Sequence, residues 1–401
     1  MSHPLGVYLH IPFCESKCGY CNFASGVYPQ AIVLAYLDAL SREVTHVRTT
    51  LSAVGIPYES FSSSKVDTVY LGGGTPSLID ASHIVRLLQV LREAVEFGPT
   101  PEITLEVNPG SVDPKRIEEY QEGGVNRISI GVQTFQDETL KRIGRSHNVQ
   151  QAVDTVELFR KMGMSNISVD IIAGLPGQTV KDWRENLDRL DTLSPEHISL
   201  YMLEIHEGTR FGKVYREGAS TESGIGENPP CAALPDEDLV ERYYFEAVHE
   251  FESQGYRHYE ISNFAKPGRE SRHNVKYWTG QPFIGFGCSA CSYLDGKRWG
   301  NERSVRRYME LICHQYHAVD SWSNLTAREH EEEAIFLGLR LTQGIDLLQF
   351  ERKFGFSLSN RFKEQIEFLK EGQLIDFTPE RLRLTPKGYM LSNEVFSEFL
   401  Q

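Results

Sequence analysis

Three cysteines near the N-terminus form the pattern in this sequence that is best suited to chemistry. Cys14, Cys18 and Cys21 give the spacing Cys-x3-Cys-x2-Cys, directly after a short apolar segment. Three thiolates in one tight loop can each bind one iron of a [4Fe–4S] cluster, which leaves the fourth iron open to a small chelating ligand. Structural zinc needs four protein ligands, and His10 is the one nearby candidate for a fourth. A zinc site and three core thiols remain the alternatives.

Glycines and polar residues follow the next apolar segments of strand length. Glycines let the backbone approach a ligand closely, and a carboxylate accepts hydrogen bonds from a ribose or an amino group. In a parallel sheet, ligands bind where the strands end, so we expect these residues to meet in one site. They are Gly72-Gly73-Gly74-Thr75-Pro76, Glu106-Val-Asn108-Pro109, Gln133, Arg145 and Asp170.

The elements that position these residues are predicted from hydrophobic periodicity. Strand-like runs alternate with helical spacing through residues 1–216, which predicts an α/β fold with a partial (β/α)6 barrel. The predicted strands are Gly6–Ile11, Val66–Leu71, Glu102–Val107, Arg127–Val132, Ile167–Ala173 and His197–Leu203. The predicted helices are Ala31–Val47, Ala81–Val95, Pro114–Glu122, Gln150–Lys161 and Val180–Leu190.

The pattern changes in the second half of the chain. Residues 217–237 are rich in Gly, Ser, Pro and acidic side chains and predict an exposed linker. Residues 238–401 predict a smaller α+β domain: a helix over 238–254, short strands and turns over 256–299, and a helix over 329–341. The last part, 345–401, resembles a winged helix, with a final helix over 385–399. It has no basic recognition helix, which favours a structural or docking role over DNA binding.

These motifs together resemble the radical S-adenosylmethionine (SAM) superfamily, whose signature is this cysteine spacing after the first strand of a partial barrel. The resemblance implies that Cys14, Cys18 and Cys21 bind a [4Fe–4S] cluster. It also implies eight residues that contact SAM: Tyr8, Tyr20, Gly74, Thr75, Glu106, Gln133, Arg145 and Asp170.

Within the superfamily, the spacing from Tyr8 to about Tyr293 resembles a branch that contains oxygen-independent coproporphyrinogen III oxidases and related heme chaperones. The oxidases have a fourth cysteine where this chain has Phe23, and a longer segment before the first strand than the seven residues that precede Tyr8. The chaperone is therefore the favoured interpretation, and no catalytic residue is predicted. The alternatives are the oxidase, which decarboxylates porphyrinogen propionates with a SAM-derived radical, and a radical SAM enzyme with another substrate.

The chaperone branch also carries a His-Asn-x-x-Tyr-Trp motif implicated in heme binding, and here it comprises His273, Asn274, Tyr277 and Trp278. A neutral imidazole is a good axial ligand for heme iron, and aromatic rings offer apolar faces to a macrocycle. The neighbouring cations Lys266, Arg269, Arg272 and Lys276 can pair with the heme propionates. The alternative is that His273 hydrogen-bonds a turn and Trp278 belongs to the core.

Composition limits the partners. The chain has 401 residues and a formal net charge of −14, which argues against a general nucleic-acid binder. It has no apolar stretch of the roughly 20 residues that a transmembrane helix needs and no signal peptide, so we expect a cytoplasmic protein. The resemblance implies heme, a heme-accepting protein such as a respiratory-chain component, and an electron donor such as flavodoxin or ferredoxin.

Four cysteines and three histidines are left without a predicted role. Cys231, Cys288, Cys291 and Cys313 are able to hold a second cluster or zinc, but buried free thiols are the favoured interpretation. His314, His317 and His330 have no metal-binding spacing and are expected at the surface.

Overall fold

The computed structural model describes residues 4–216 and 232–400. Its centre is a run of six parallel strands in sequential order, each joined to the next by one or more helices. The strands are β1 (Pro4–Ile11), β2 (Lys65–Gly73), β3 (Phe97–Val107), β4 (Arg127–Gln133), β5 (Ile167–Ala173) and β6 (His197–Met202). The predicted α/β class and all six predicted strands are confirmed.

The helices of this half include the five predicted ones and three that the periodicity did not predict. They are α1 (Gln30–Thr45), α2 (Val47–Ala53), α3 (Tyr58–Ser62), α4 (Ala81–Ala94), α5 (Pro114–Glu122), α6 (Asp137–Ile143), α7 (Val149–Lys161) and α8 (Val180–Leu193). The three additional helices, α2, α3 and α6, have five to seven residues, too few for a helical period to stand out. This half of the chain also contains a 3-10 turn (Pro76–Leu78) and a π-helical turn (Gly212–Arg216).

Residues beyond the predicted linker extend the same sheet at both edges. Two strands lie beside β6 and four lie beside β1, giving twelve strands in all. The added elements are α9 (Glu237–Ser253), β7 (Arg257–Glu260), β8 (Asn263–Ala265), α10 (Arg272–Trp278), β9 (Phe283–Phe286), β10 (Cys291–Leu294), β11 (Lys297–Asn301), α11 (Val305–Gln315) and β12 (Val319–Asn324). The domain limits stay a prediction, although one sheet contains strands from both sides of the predicted boundary.

The segment 256–299 was predicted to hold only strands and turns, and this is wrong at helix α10. The hydroxyl of Ser271 caps its first turn by accepting a hydrogen bond from the backbone N–H of Asn274. The carboxylate of Glu102 accepts hydrogen bonds from the backbone N–H groups of Arg272 and His273. A helix of seven residues with a distant acidic cap has no local signal long enough to predict it.

The C-terminal unit has a separate hydrophobic core and a three-stranded antiparallel sheet. The predicted final helix is divided in two at Leu391, which turns Val395 and Phe399 into this core. The elements are α12 (Ala327–Arg340), β13 (Ile345–Asp346), α13 (Leu347–Phe354), α14 (Leu358–Arg361), α15 (Lys363–Glu371), β14 (Ile375–Phe377), β15 (Arg381–Leu384), α16 (Pro386–Met390) and α17 (Ser392–Ser397). No helix in the described ranges is long and apolar enough to cross a membrane.

Candidate cluster and cofactor site

The loop after β1 places the three cysteines on the wall of one cavity of about 500 Å³ at the carboxyl ends of the parallel strands. Each sulfur lies near a hydrogen-bond donor. The Thr75 hydroxyl is 3.9 Å from the Cys14 sulfur, the Arg145 guanidinium is 3.8 Å from the Cys18 sulfur, and the Ser25 hydroxyl is 3.9 Å from the Cys21 sulfur. A cation and hydroxyls near the sulfurs stabilise thiolates, so these residues suit an iron–sulfur cluster.

His10 is not placed to complete a zinc site with the three cysteines. No three His, Cys, Asp or Glu side chains within residues 4–216 and 232–400 lie close enough together to hold one. His10 is buried, and its ring nitrogens contact the Tyr8 hydroxyl at 3.0 Å and the Ala24 carbonyl at 3.0 Å. The zinc alternative with His10 as fourth ligand is therefore not formed, whereas a cubane cluster needs each thiol only to reach a different iron.

Contacts from distant parts of the chain hold the cysteine loop. The backbone N–H of Gly19 donates to the carbonyl of Ile143, and the N–H of Phe211 donates to the carbonyl of Gly19. The Phe211 ring leaves no room for a side chain at Gly19, where a Cβ would lie 2.5 Å from it. Tyr20 lines the cavity and packs against Phe211. The loop is thus placed by tertiary contacts and not by its own hydrogen bonds alone.

The glycines after β2 bring backbone to the cavity wall. Gly73 has φ +109°, and a Cβ there would lie 2.4 Å from the His10 ring. A Cβ at Gly74 would lie 2.7 Å from two carbonyl oxygens of the chain entering the cysteine loop. Only glycine fits at either position, because His10 and the chain entering the cysteine loop take the space of a side chain, and both glycines line the cavity.

Glu106 is the central acceptor of the cavity. Its carboxylate accepts hydrogen bonds from the backbone N–H of Gly73 at 3.0 Å and from the Tyr70 hydroxyl at 3.0 Å. Burial, together with the negative charge of Asp170, raises the pKa of Glu106 to about 7. Burial also raises the pKa of Asp170. Two carboxyl groups that are costly to ionise suit a ligand that brings a positive charge.

Gln133 and Arg145 reach the cavity through local irregularities. The pairing of β4 with β5 shifts register between Gly131 and Gln133, and Gln133 takes φ +69°. A bulge of this kind redirects a side chain at the end of a strand. Arg145 donates to the Gly131 carbonyl at 2.6 Å and to the side-chain oxygen of Asn108. Both side chains line the cavity together with Asp170.

Seven of the eight residues predicted to contact SAM therefore line one cavity, and Tyr8 does not. Tyr8 stacks on Tyr70 with ring centroids 6.2 Å apart and holds His10. Ser129 and Tyr201 line the cavity but were not predicted. They could have been found from the period of two along β4 and β6, where polar side chains alternate with buried apolar ones.

The histidine of the His-Asn-x-x-Tyr-Trp motif is buried, with 1% of its surface exposed. One ring nitrogen of His273 lies 2.9 Å from the Thr68 hydroxyl, and the other lies 2.9 Å from the Tyr277 hydroxyl. Burial, with a contribution from the Lys276 charge, lowers the pKa of His273 to about 3. The imidazole is neutral, but neither nitrogen is free to bind iron in this conformation.

The rest of the motif is less enclosed. Asn274 lies in the first turn of α10, Tyr277 packs edge-on against Phe283, and Trp278 reaches a second cavity at the end of the helix. Among the neighbouring cations, Lys276 is buried with its ammonium group 2.8 Å from Asp67. Arg272 also pairs with Asp67 and Lys266 with Glu196. A propionate site made of these three side chains is therefore not formed.

The remaining cysteines are free thiols where they are described. Cys288 is buried as expected, and burial raises its pKa to about 12. Cys291 and Cys313 are exposed, so the expectation of burial was wrong for both. Cys231 lies outside the described residues. His314 is exposed, whereas His317 and His330 are half-buried.

Comparisons with known proteins agree with the fold and the cysteine cavity described above. The Radical SAM superfamily profile matches residues 8–190, and the HemN C-terminal domain profile matches residues 325–391. The heme chaperone HemW of Lactococcus lactis is 35% identical over 400 residues, covering 100% of this chain and 98% of that protein. The chain belongs to the HemW family.

Other HemW relatives are similar over nearly their whole length. The HemW of Bacillus subtilis is 34% identical, covering 98% of both chains, and that of Escherichia coli is 31% identical, covering 99% of this chain and 98% of its own. The solved structure of coproporphyrinogen III oxidase from Escherichia coli, described as a radical SAM enzyme, superposes with a TM-score of 0.82 over 100% of this chain and 91% of its own. At 24% identity this likeness shows the shared fold.

Proposed function

We propose that this chain is a heme chaperone that binds a [4Fe–4S] cluster, SAM and heme, and delivers the heme to an acceptor protein such as a respiratory-chain component. The observation that supports it most is the match to HemW heme chaperones over the full length of the chain. Phe23, 64% exposed, lines the cysteine cavity at the position where the oxidases carry a fourth cysteine.

Different residues of the cavity would hold the [4Fe–4S] cluster and SAM. Cys14, Cys18 and Cys21 would bind three irons, with the Arg145 guanidinium beside the sulfur of Cys18. Glu106 and Asp170 would accept hydrogen bonds from the amino and ribose groups of SAM, beside Gly74, which also lines the cavity. When bound there and reduced, the cluster would supply the electron with which radical SAM proteins cleave SAM. An electron donor of the flavodoxin or ferredoxin kind stays a prediction.

Helix α10 is the proposed contribution of the C-terminal half to heme binding. Trp278 carries the motif to a cavity wall. Coordination of iron by His273 stays a prediction of the sequence, and it requires the imidazole to leave at least one of its two hydrogen bonds, to Thr68 or to Tyr277.

The test uses full-length protein reconstituted anaerobically with iron and sulfide. We expect one preparation to bind hemin with a shifted Soret band and to transfer it to a heme-free acceptor, such as membranes from heme-deprived cells. We expect no turnover of coproporphyrinogen III with SAM above a control without protein. Turnover well above that control would favour the oxidase, and absence of hemin binding would contradict the chaperone.

A further inference from the structure

A second cavity, of about 740 Å³, lies beside the C-terminal end of α10. Cofactor and drug-sized ligands occupy pockets of roughly 300–1,000 Å³, so the volume suits a macrocycle. The sheet contributes Tyr293 on β10, and the C-terminal unit contributes α12 and α13. Seven aliphatic or phenylalanine side chains line it: Ala327, Ala334, Leu337, Leu341, Ile345, Phe350 and Phe354.

His330 on α12 is the histidine of this cavity. It is half-buried, and its Nε2 lies 3.2 Å from the hydroxyl of Tyr293. Across the ring lies Gly296 in the tight Asp295-Gly296 turn between β10 and β11, where a Cβ would lie 3.2 Å from the imidazole. The imidazole of His330 makes one hydrogen bond, to a tyrosine, whereas the imidazole of His273 makes two buried ones. The His330 ring is therefore less strongly held.

Among the described residues, the charges around the cavity leave one cation unpaired. Three carboxylates line it, and each pairs with an arginine: Glu333 with Arg298, Glu331 with Arg361, and Asp346 with Arg381. Lys353 also lines the cavity, and its ammonium group lies 5.1 Å from the Phe354 ring centroid. In the described ranges Lys353 takes part in none of the ion pairs, so its charge is available to an anion.

We propose that this cavity binds an iron porphyrin, with His330 as the axial ligand through Nε2 and with Lys353 facing a propionate. The proposal rests on the proposed heme function. The lone pair of Nε2 moves from the hydrogen bond with Tyr293 to the iron, while the imidazole proton stays on Nδ1 and the phenol keeps its own proton. No redox change or further reactant is involved.

Features of Trp278 and Tyr293 support an iron porphyrin bound by His330 in this cavity. Trp278 lines the cavity, so the His-Asn-x-x-Tyr-Trp helix contributes to the site although His273 stays buried. Burial raises the pKa of Tyr293, which disfavours the phenolate that would compete as an iron ligand. The indole Nε1 of Trp278 is buried without a hydrogen-bond partner within the described residues.

The test compares His330→Ala with His314→Ala, an exposed histidine of α11 that does not line the cavity. Full-length proteins are titrated with hemin and with metal-free protoporphyrin IX and followed by absorption. We expect His330→Ala to weaken hemin binding at least tenfold, to shift the Soret band and to leave protoporphyrin IX binding unchanged. Added imidazole should restore the hemin spectrum. His314→Ala should behave like the wild-type protein.

Two further variants test the other contacts. Tyr293→Phe removes the hydroxyl that competes for Nε2, so hemin affinity should stay equal or rise a few-fold. Lys353→Glu should weaken the binding of both porphyrins several-fold, whereas Arg352→Glu, the same charge change outside the cavity lining, should not. These two variants keep the test valid if His330→Ala fails to fold.

Failure of the proposed function and failure of the His330 site give different results. If the wild-type protein does not bind hemin, the proposed function fails and this site fails with it. If the wild-type protein binds hemin while His330→Ala and Lys353→Glu bind it equally well, only the site is overturned. Loss of binding in His273→Ala with retention in His330→Ala would also overturn it and would place the ligand on α10.

Discussion

At the carboxyl ends of the parallel strands, Glu106 and Asp170 face an open cavity beside the cysteine loop. Two layers toward the amino ends, on the same face of the strands, Thr68 and Glu102 bond instead to helix α10. Both layers carry polar side chains at alternate strand positions. At the open end these groups are available to a ligand, and at the closed end the helix satisfies them.

The two layers meet at Tyr70. Its hydroxyl donates to Glu106 in the open layer, and its ring lies 5.4 Å from the His273 ring in the closed one. A polar residue in a strand is thus not by itself a sign of a ligand site, since its neighbours decide whether it binds a ligand or stabilises the fold. The following predictions test this difference, beginning with the largest expected effect.

At the open end, Cys18→Ala should abolish the iron–sulfur absorbance after anaerobic reconstitution, because a [4Fe–4S] cluster held by three thiolates does not survive the loss of one. Cys313→Ala removes an exposed thiol outside the cavity and serves as the control. A full cluster in Cys18→Ala would show that the ligands are other residues.

At the closed end, His273→Ala should lower the free energy of unfolding by about 2–4 kcal/mol, because it leaves a buried cavity and unpaired hydroxyls on Thr68 and Tyr277. Urea denaturation measures the loss. His314→Ala, at an exposed position, should stay within about 0.5 kcal/mol of the wild-type protein. Equal stability of the two variants would mean that the closed layer is not packed as described.

Glu106→Gln should weaken SAM binding by about 10- to 100-fold, the loss expected for a hydrogen bond to a charged group. Calorimetry on cluster-loaded protein gives the affinity. Glu96→Gln changes an exposed carboxylate that pairs with Lys65 and should leave it unaltered. An unchanged affinity in Glu106→Gln would remove Glu106 from the SAM site.

The pH dependence of SAM binding should be a smaller effect of the same residue. Burial and the Asp170 charge raise the pKa of Glu106 to about 7, so below that pH the carboxyl is protonated and accepts poorly. Affinity should therefore rise with pH toward about 7 and level off above it, by at most about tenfold per pH unit. SAM itself titrates, so the contribution of Glu106 is the part of this slope that Glu106→Gln abolishes.

The elements that were predicted well are long and periodic. The six strands and the helices α4, α5, α7 and α8 were found within a few residues of their predicted bounds. Helices α6 and α10 were not predicted, because each has only seven residues, and the first turn of α10 is also held by the distant carboxylate of Glu102. The gathering of Glu106, Gln133 and Asp170 was predictable because the ends of adjacent parallel strands lie together.

The sequence by itself determined the parallel sheet, since hydrophobic period and strand order place its strands, and the family resemblance implied the seven SAM residues that line the cavity of the cysteine loop. Only the tertiary structure decided which polar groups remain accessible to a ligand. His273 and His330 are both histidines on helices, yet one is enclosed by Thr68 and Tyr277 and the other lines a cavity. Burial and hydrogen bonding depend on residues hundreds of positions apart, and no local pattern encodes them.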